Sequence, residues 1–369
     1  MINASQKLDD IVKDIKISES IFKIPTVYSS VYFPELVGTR LEDYYKFLTD
    51  YKIGKRLNTI FRDIEQNNID GDLFLLNKVR GFITAINNSI SNYYHGYTSK
   101  AYDSFSNSLN KIIEFHNNVA VSYVEPNQNY YKIRVDESLK GVKNRKDNFH
   151  IPFNLRHFCA TQRYSIPGIP SIYLGSTSYL SYEELGRPNI AASYISRFET
   201  KKLIRIIEIQ TFYNFTNSYE GVELIKRFKN VLRYLILFPL YFTTTIRVVE
   251  TASNFKTEYI IPQLLMQFIG ASNKDDNAIR GVKFPSSKLN YTTSDDHRHF
   301  SYVFPIVTSD KSGFCSFLSS VFHLSKPKLI SDVLGKIDVS IPTVSYDYSD
   351  FDSLDKTLLR EKVDNVLTI

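Results

Sequence analysis

The chain has 369 residues, of which 43% are hydrophobic and 23% are charged. The hydrophobic share is enough for a sizeable core, which excludes a disordered chain, and the length predicts two domains. The formal net charge of +6 is spread along the sequence and does not by itself indicate a nucleic-acid partner. Cys159 and Cys315 lie far apart, which excludes a disulfide scaffold and a cysteine-based zinc site and fits a reducing compartment.

The sequence shows no recognisable targeting or membrane segment. Residues 1–16 are polar and carry Asp9, Asp10 and Asp14, unlike a signal peptide. The longest apolar run, 234–242, is too short to cross the ~30 Å of hydrocarbon in a bilayer as a helix. We therefore predict a cytoplasmic protein without a membrane partner.

The first third of the chain has the periodicity of amphipathic helices, with apolar residues recurring every three or four positions. The pattern predicts helices over 41–64, 72–94 and 100–117. We therefore expect a helical domain over 1–122, with a regulatory or partner-binding role.

After the linker-like stretch 125–129, the apolar period changes to two. The pattern predicts strands over 130–135, 171–175, 202–210, 281–287 and 302–306, helices over 178–185, 220–242 and 259–269, and in the tail a strand over 336–341 and a helix over 354–366. Ser176 or Ser178 is expected to cap the helix over 178–185. The predicted fold class is α+β, in which a mixed β-sheet domain with flanking helices follows the helical domain and covers 123–369.

Common catalytic motifs are absent from the sequence. It contains no GxG dinucleotide fingerprint, no phosphate-binding GxxxxGK[ST] loop, no HExxH and no GxSxG. The run Asp295-Asp296-His297-Arg298-His299 has donors of the kind that bind metals, but its setting is polar, and we interpret it as a solvated loop. We therefore expect no metal.

Separated stretches carry residues that suit a ligand cleft. Lys132 and Arg134 share one face of a predicted strand, and Tyr173 precedes Glu184 by eleven residues. A strand that ends near Gly175 and leads into a helix would bring the Tyr173 ring and the Glu184 carboxylate to one cleft. Taken alone, such a strand, loop and helix is more often ordinary structure than a site.

The stretch 149–185, which reads FHIPFNLRHFCATQRYSIPGIPSIYLGSTSYLSYEEL, resembles the RES family, named for an Arg, a Glu and a Ser. The resemblance extends from about 130 to 306, with further similar pieces at 203–209, 259–265 and 281–286. Members of the family are NAD-consuming toxins with a fold like that of ADP-ribosyltransferases. The resemblance therefore implies that fold for 123–369, with NAD+ as the substrate.

The family's site residues carry over position by position. Arg134 matches the family Arg, although members often have a Tyr-Arg-x-Arg strand in which Lys132 takes the first Arg position, so both are candidates. Tyr173 matches the aromatic residue of the second strand. Glu184 matches the family Glu by its spacing from Tyr173, with Glu183 as the less favoured neighbour.

The remaining positions are less sharply assigned. Ser286 follows Pro285 as in the family's Ser motif, but the adjacent Ser287 leaves an ambiguity of one residue. Where members often have Gly-Arg-Phe, this chain has Gln162-Arg163-Tyr164. Arg163 and Tyr164 are therefore interpreted as secondary substrate-binding residues, together with Lys132 and Ser287.

The chemistry of NAD asks for these residue types. Cleavage of the nicotinamide–ribose bond builds an oxocarbenium-like centre, which the Glu184 carboxylate would stabilise. Arg134 would bind ribose or diphosphate, and Tyr173 would stack on the cationic nicotinamide. Ser286 would hydrogen-bond the ribose or hold the carboxylate in place.

The sequence does not determine which acceptor the reaction uses or which partners the protein has. Water, inorganic phosphate as a co-substrate, or a protein side chain would give an NAD glycohydrolase, a phosphorylase or an ADP-ribosyltransferase. We expect NAD degradation by a toxin of a toxin–antitoxin or anti-phage system, with an antitoxin or regulatory protein and a homo-oligomer as candidate partners. Two other hypotheses are a ribonuclease, from the Arg-x4-His spacing of Arg145 and His150, and a catalytically inactive interaction or sensor module.

Overall fold

Two units divide the chain, and each is built from separate segments. The first unit contains 1–121 and 209–268, and the second contains 122–208 and 269–369. The computed structural model describes residues 3–27, 32–64, 74–116, 118–136, 138, 141–248, 252–271, 277–286, 299–306, 313–335 and 346–367. The sequence placed 209–268 in the second domain, whereas the structure groups this segment with the N-terminal helices.

The first unit is helical. Its helices are α1 (Ala4–Ile17), α2 (Glu19–Phe22), α3 (Phe33–Asp50), α4 (Ile53–Ile64), α5 (Leu75–Tyr94), α6 (Thr98–Ile113), α8 (Phe212–Tyr219), α9 (Leu224–Thr245) and most of α10 (Ile260–Ala271). The single helix predicted over 41–64 is two helices, because Lys52 between them has a left-handed φ of 52° that ends the first. The helix predicted over 100–117 ends at Ile113.

Helix α9 explains why 209–268 belongs to the first unit. From Val231 onward nearly every side chain of α9 is buried, so this helix needs partners on all sides. It packs against α1, α5 and α8 of the same unit, and the Tyr44 hydroxyl of α3 donates to the Leu235 carbonyl. No helix in the described part of the chain is both long enough and apolar enough to span a membrane.

The second unit is organised around one mixed sheet. Its described strands are β1 (Ser122–Val124), β2 (Asn129–Val135), β3 (Ser171–Gly175), β4 (Ser193–Thr200), β5 (Ile204–Glu208), β6 (Gly281–Pro285), β7 (Phe300–Pro305), β8 (Phe322–Leu324), β9 (Lys328–Leu329) and β10 (Asp364–Asn365). Their order is β1-β5-β6-β7-β3-β2-β4-β8-β10, and β9 also pairs with β4. The pair β5–β6 is parallel and the other pairs are antiparallel, which confirms the mixed sheet.

Helices flank this sheet, as the sequence predicted. They are α7 (Ser178–Glu184), α11 (Ser316–Val321), α12 (Ile330–Leu334) and α13 (Tyr348–Leu358). Phe351, Leu354 and Leu358 of α13 pack with Tyr131 and Ile133 of β2 in one apolar cluster. The last described helix, α13, begins six residues earlier and ends eight residues earlier than the helix predicted over 354–366. The strand predicted over 336–341 lies outside the described residues.

Candidate active site

Helix α7 carries the candidate carboxylate and follows β3 through a tight turn. A side chain at Gly175 would place its Cβ 2.5 Å from the Ser181 Oγ and 2.9 Å from the Thr177 carbonyl oxygen, so only glycine fits there. The Thr177 Oγ1 accepts a hydrogen bond from the Leu180 N–H at 3.1 Å and caps the helix. The cap is therefore Thr177 and neither of the two serines that the sequence suggested.

The two adjacent glutamates at the end of α7 have different partners. Glu183 is buried, and the Arg187 Nε lies 3.0 and 3.1 Å from its two carboxylate oxygens. Glu184 is half-buried, and its Oε1 accepts a hydrogen bond from the Ser286 hydroxyl. Glu183 therefore has a structural ion pair, and the Glu184 carboxylate is the one that meets a second predicted site residue.

Ser286 is held by the end of β6. It is fully buried and directly follows Pro285, the last residue of that strand, which pairs with Phe300 of β7. The neighbouring Ser287 lies outside the described residues. Within the described part of the chain, Ser286 is thus the serine that contacts Glu184.

Tyr173 is hydrogen-bonded to Tyr164, but the rings of the two residues are buried to different extents. The Tyr173 hydroxyl donates to the Tyr164 backbone carbonyl, and the Tyr173 ring is half-buried. The Tyr164 ring is 1% exposed, with its centroid 4.3 Å from that of Phe284. The Tyr164 side chain is therefore part of the core, contrary to its interpretation as a substrate-binding residue. The preceding residue, Arg163, is half-buried.

Lys132 and Arg134 share one face of β2, as predicted, but it is not the face of Tyr173. Tyr131 is the register partner of Gly175, and because side chains alternate along a strand, Lys132 and Arg134 leave the sheet on the side opposite to Tyr173. No contact of either cation reaches Glu184 or Ser286 in the described structure. The structure therefore does not bring the predicted Arg–Glu–Ser set together as side-chain contacts.

Both cations instead bind the segment that follows β2. The Lys132 Nζ donates to the backbone carbonyls of Asn148 and Phe149 at 3.1 and 2.7 Å. Removal from water, and then the nearby Arg134 charge, lower the pKa of Lys132 to about 7. The exposed Arg134 guanidinium donates to the Asp147 carbonyl.

His299 lies at the start of β7 and is a residue that the sequence analysis missed. Its side chain is 3% exposed, and its Nδ1 lies 3.1 Å from the Thr177 Oγ1. The interpretation of this histidine as part of a solvated loop was wrong, whereas 295–298 lie outside the described residues. The alternation of side chains along β7 could have indicated this position, because it places His299 on the same face of the sheet as Ser301.

Two other features of the site region have structural explanations. His150 is buried, its Nε2 accepts from the Cys315 N–H at 2.9 Å, and its Nδ1 lies 2.8 Å from the Ile151 carbonyl oxygen. Arg145 binds Asp364 at 2.7 Å, so both side chains of the Arg-x4-His pair make contacts within the second unit. The described residues contain no cluster of His, Cys, Asp and Glu that could hold a metal ion.

One curated protein resembles this chain over most of its length. It is named "Putative toxin YopC", from Bacillus subtilis (strain 168), and is 30% identical over 268 residues. The matched region is 68% of this chain and 59% of that protein, so the chain spans well under two thirds of its relative. No protein-family model matches the sequence, and no solved structure matches it.

Proposed function

We propose that this chain is a toxin of the RES type that consumes NAD+ by cleaving its nicotinamide–ribose bond. The observation that carries the proposal is the hydrogen bond from the Ser286 hydroxyl to Glu184. Two of the three residue types that name the RES family are in contact, although 102 residues separate them in the sequence. The toxin part of the proposal is supported by the name of the relative from Bacillus subtilis.

An ADP-ribosyltransferase-like fold for the second unit is part of the same proposal. Its support is a mixed sheet in which β2 and β3 share a single register pair, Tyr131 with Gly175. Each strand is paired along its other edge, β2 with β4 and β3 with β7. The sheet therefore opens between β2 and β3, and an opening in a sheet is a suitable place for an extended dinucleotide.

Glu184 is assigned to the reacting centre. When the glycosidic bond breaks, its electron pair leaves with nicotinamide and positive charge develops on the anomeric carbon and the ring oxygen. A carboxylate fixed in a partly dry site stabilises that charge more than water does. Ser286 donates to one carboxylate oxygen and thereby restricts the rotation of the Glu184 side chain.

Tyr173 and Arg163 are assigned to substrate binding. The half-buried Tyr173 ring is anchored by its hydroxyl to the Tyr164 carbonyl, so its face is held in a fixed orientation for stacking on the cationic nicotinamide. Arg163 precedes Tyr164, which the Phe284 ring fixes in the core. This tether favours Arg163 for the diphosphate, whereas the resemblance assigns that role to Arg134.

The acceptor completes the reaction. An oxygen of water or phosphate bonds to the anomeric carbon, and the acceptor's proton leaves to the medium or to a carboxylate. Water gives ADP-ribose, and phosphate gives ADP-ribose 1″-phosphate. The alternative on the same scaffold is transfer to a protein side chain. An antitoxin or regulatory protein that restrains the toxin is proposed as the partner.

The test measures NAD+ and its products after expression in cells and again with purified protein. We expect the wild type to consume NAD+, Glu184→Gln to lose activity by roughly a thousandfold or more, and Glu183→Gln to retain most of it. Mass spectrometry of the products identifies the acceptor. NAD+ consumption that survives Glu184→Gln, or no consumption under any acceptor condition, would overturn the proposal.

A further inference from the structure

We propose that His299 is a positioning residue for Glu184, acting through the N-terminal end of α7. The inference rests on the proposed function for its kinetic readout, but its structural basis is independent. It concerns a buried, titratable side chain beside the site to which the RES resemblance assigns no role.

His299 lies next to Ser286. Strands β6 and β7 are antiparallel, and their ladder ends with the pair Pro285 and Phe300. Continuing that register by one residue places His299 beside Ser286, and alternation puts its side chain on the side shared by Phe284 and Ser301. The serine that binds Glu184 and the histidine are thus neighbours on adjacent strands.

The contact of His299 with α7 is a hydrogen bond at the helix cap. The Thr177 Oγ1 accepts a hydrogen bond from the Leu180 N–H and lies 3.1 Å from the His299 Nδ1. We assign the Thr177 hydroxyl as the donor in this second contact. In the proposed arrangement the histidine is neutral, with its proton on Nε2. In this form His299 orients the hydroxyl whose oxygen fixes the first turn of α7.

Helix α7 is short enough to transmit this constraint. It has seven residues, with Thr177 at one end and Glu184 at the other. At the first end the Ser178 N–H lies 3.3 Å from an Asp355 carboxylate oxygen, and the Ser178 hydroxyl donates to the Phe351 carbonyl at 3.2 Å. A helix of two turns held at both ends moves as a rigid piece, so a change at the cap displaces the carboxylate.

Protonation of His299 would break this hydrogen bond with Thr177. An imidazolium has no Nδ1 lone pair to accept the Thr177 proton, and it places positive charge at the positive end of the helix dipole. Among the described residues, the titratable groups whose rings lie next to it are Tyr179 of α7, with its centroid 6.0 Å away, and Tyr348 of α13, at 5.6 Å. Asp355 of α13 bonds the residue after the cap and adds a carboxyl group to this end of the helix.

The test compares two substitutions that separate hydrogen bonding from volume. His299→Phe keeps a ring but has no acceptor, whereas His299→Asn keeps an acceptor atom near the position of Nδ1. Since a displacement of about 1 Å can cost 100-fold, we expect His299→Phe to lower kcat roughly 10- to 100-fold with KM within about twofold. We expect His299→Asn to recover most of kcat and to shift the acid limb of the pH profile to lower pH.

A second pair of variants, at Thr177, keeps the test decisive if His299→Phe does not fold. Thr177→Ser retains the hydroxyl and should behave like the wild type, and Thr177→Val should lower kcat as His299→Phe does. Equal activity of wild type and folded His299→Phe, or equal losses in the Asn and Phe variants, would overturn the positioning role.

Tautomer measurement separates this inference from the proposed function. Nitrogen-15 NMR of histidine-labelled protein, with the His299 signal assigned through His299→Asn, reports which ring nitrogen carries the proton. A proton on Nε2 supports the inference even if the wild type consumes no NAD+, and a proton on Nδ1 overturns it.

Discussion

Ser286 donates a hydrogen bond to Glu184 across 102 residues of sequence. The serine lies just beyond β6, and the glutamate is the last residue of α7. Glu183, one residue earlier, is bound to Arg187. The helix therefore presents two carboxylates with distinct tasks, and this difference supplies matched controls for mutagenesis.

The Ser286 hydroxyl should matter for catalysis more than for folding. In Ser286→Ala the Glu184 side chain loses a donor, and we expect kcat for NAD+ consumption to fall by roughly 10- to 100-fold. Ser331→Ala is the matched control, because Ser331 is also a buried serine of the second unit but belongs to α12. Steady-state kinetics measure both, and equal activity of the two variants would contradict the assigned role of Ser286.

Tyr173 should act through its ring. Tyr173→Phe keeps the ring and loses the bond to the Tyr164 carbonyl, so we expect KM to change by less than about fivefold. Tyr173→Ala removes the stacking face and should raise KM by roughly tenfold or more. If Tyr173→Phe abolished turnover with KM unchanged, the hydroxyl would have a chemical role that we do not assign to it.

Arg163 and Arg134 are competing candidates for binding the diphosphate of NAD+. Arg163 directly precedes Tyr164, whose carbonyl accepts from the Tyr173 hydroxyl, whereas Arg134 leaves β2 on the other face. We therefore expect Arg163→Ala to raise KM by roughly tenfold or more and Arg134→Ala to raise it less than about threefold. The reverse order would show that Arg134 binds the diphosphate, as the family resemblance implies.

Ionisation of the Asp355 carboxyl should lower the free energy of unfolding as pH rises. Burial raises the pKa of Asp355 to about 7, so between about pH 4 and pH 7 the folded chain retains a proton that the unfolded chain has released. A difference from an ordinary pKa of about 4 corresponds to roughly 4 kcal/mol. We expect Asp355→Asn to increase the free energy of unfolding by up to that amount at pH 8 and by almost nothing at pH 4.

Denaturant titrations at several pH values measure this effect. The matched control is Asp352→Asn, since Asp352 lies on the same helix, is more exposed and pairs with Lys356. A stability gain in Asp355→Asn that does not vary with pH would show that the Asp355 carboxyl is not the titrating group.

Local patterns in the sequence predicted the parts of the site that depend on short spacing. The strand over 171–175 and the start of the helix at Ser178 were confirmed, because Gly175 and the change of period mark the turn. The contact that favours Glu184 over Glu183 could not be predicted from local sequence, because Ser286 lies 102 residues away. The Glu183–Arg187 ion pair, by contrast, is a local contact between residues four positions apart. The burial of Tyr164 depends on Phe284, which is far away in the sequence.

The features that sequence analysis missed share a physical cause. Strand β4 has no alternating pattern, because both of its faces are covered along most of its length. Its Arg197 is buried and bonded to Asn129, to Glu199 and to the Glu361 carbonyl, a network that no local pattern predicts. The assignment of 209–268 failed for the same reason, because α9 is apolar all round and its partners lie in the N-terminal helices.

The interrupted second unit has a consequence for protein synthesis. The chain leaves this unit after Glu208 and returns at Ile269, yet β5 and β6 on either side of the interruption are direct parallel neighbours. A ribosome therefore completes Glu184 long before it makes Ser286, and every nascent chain that ends within the interruption lacks the strand that carries the serine. The proposed site is therefore assembled late in synthesis, and nascent chains of intermediate length contain the Glu184 carboxylate without its Ser286 donor.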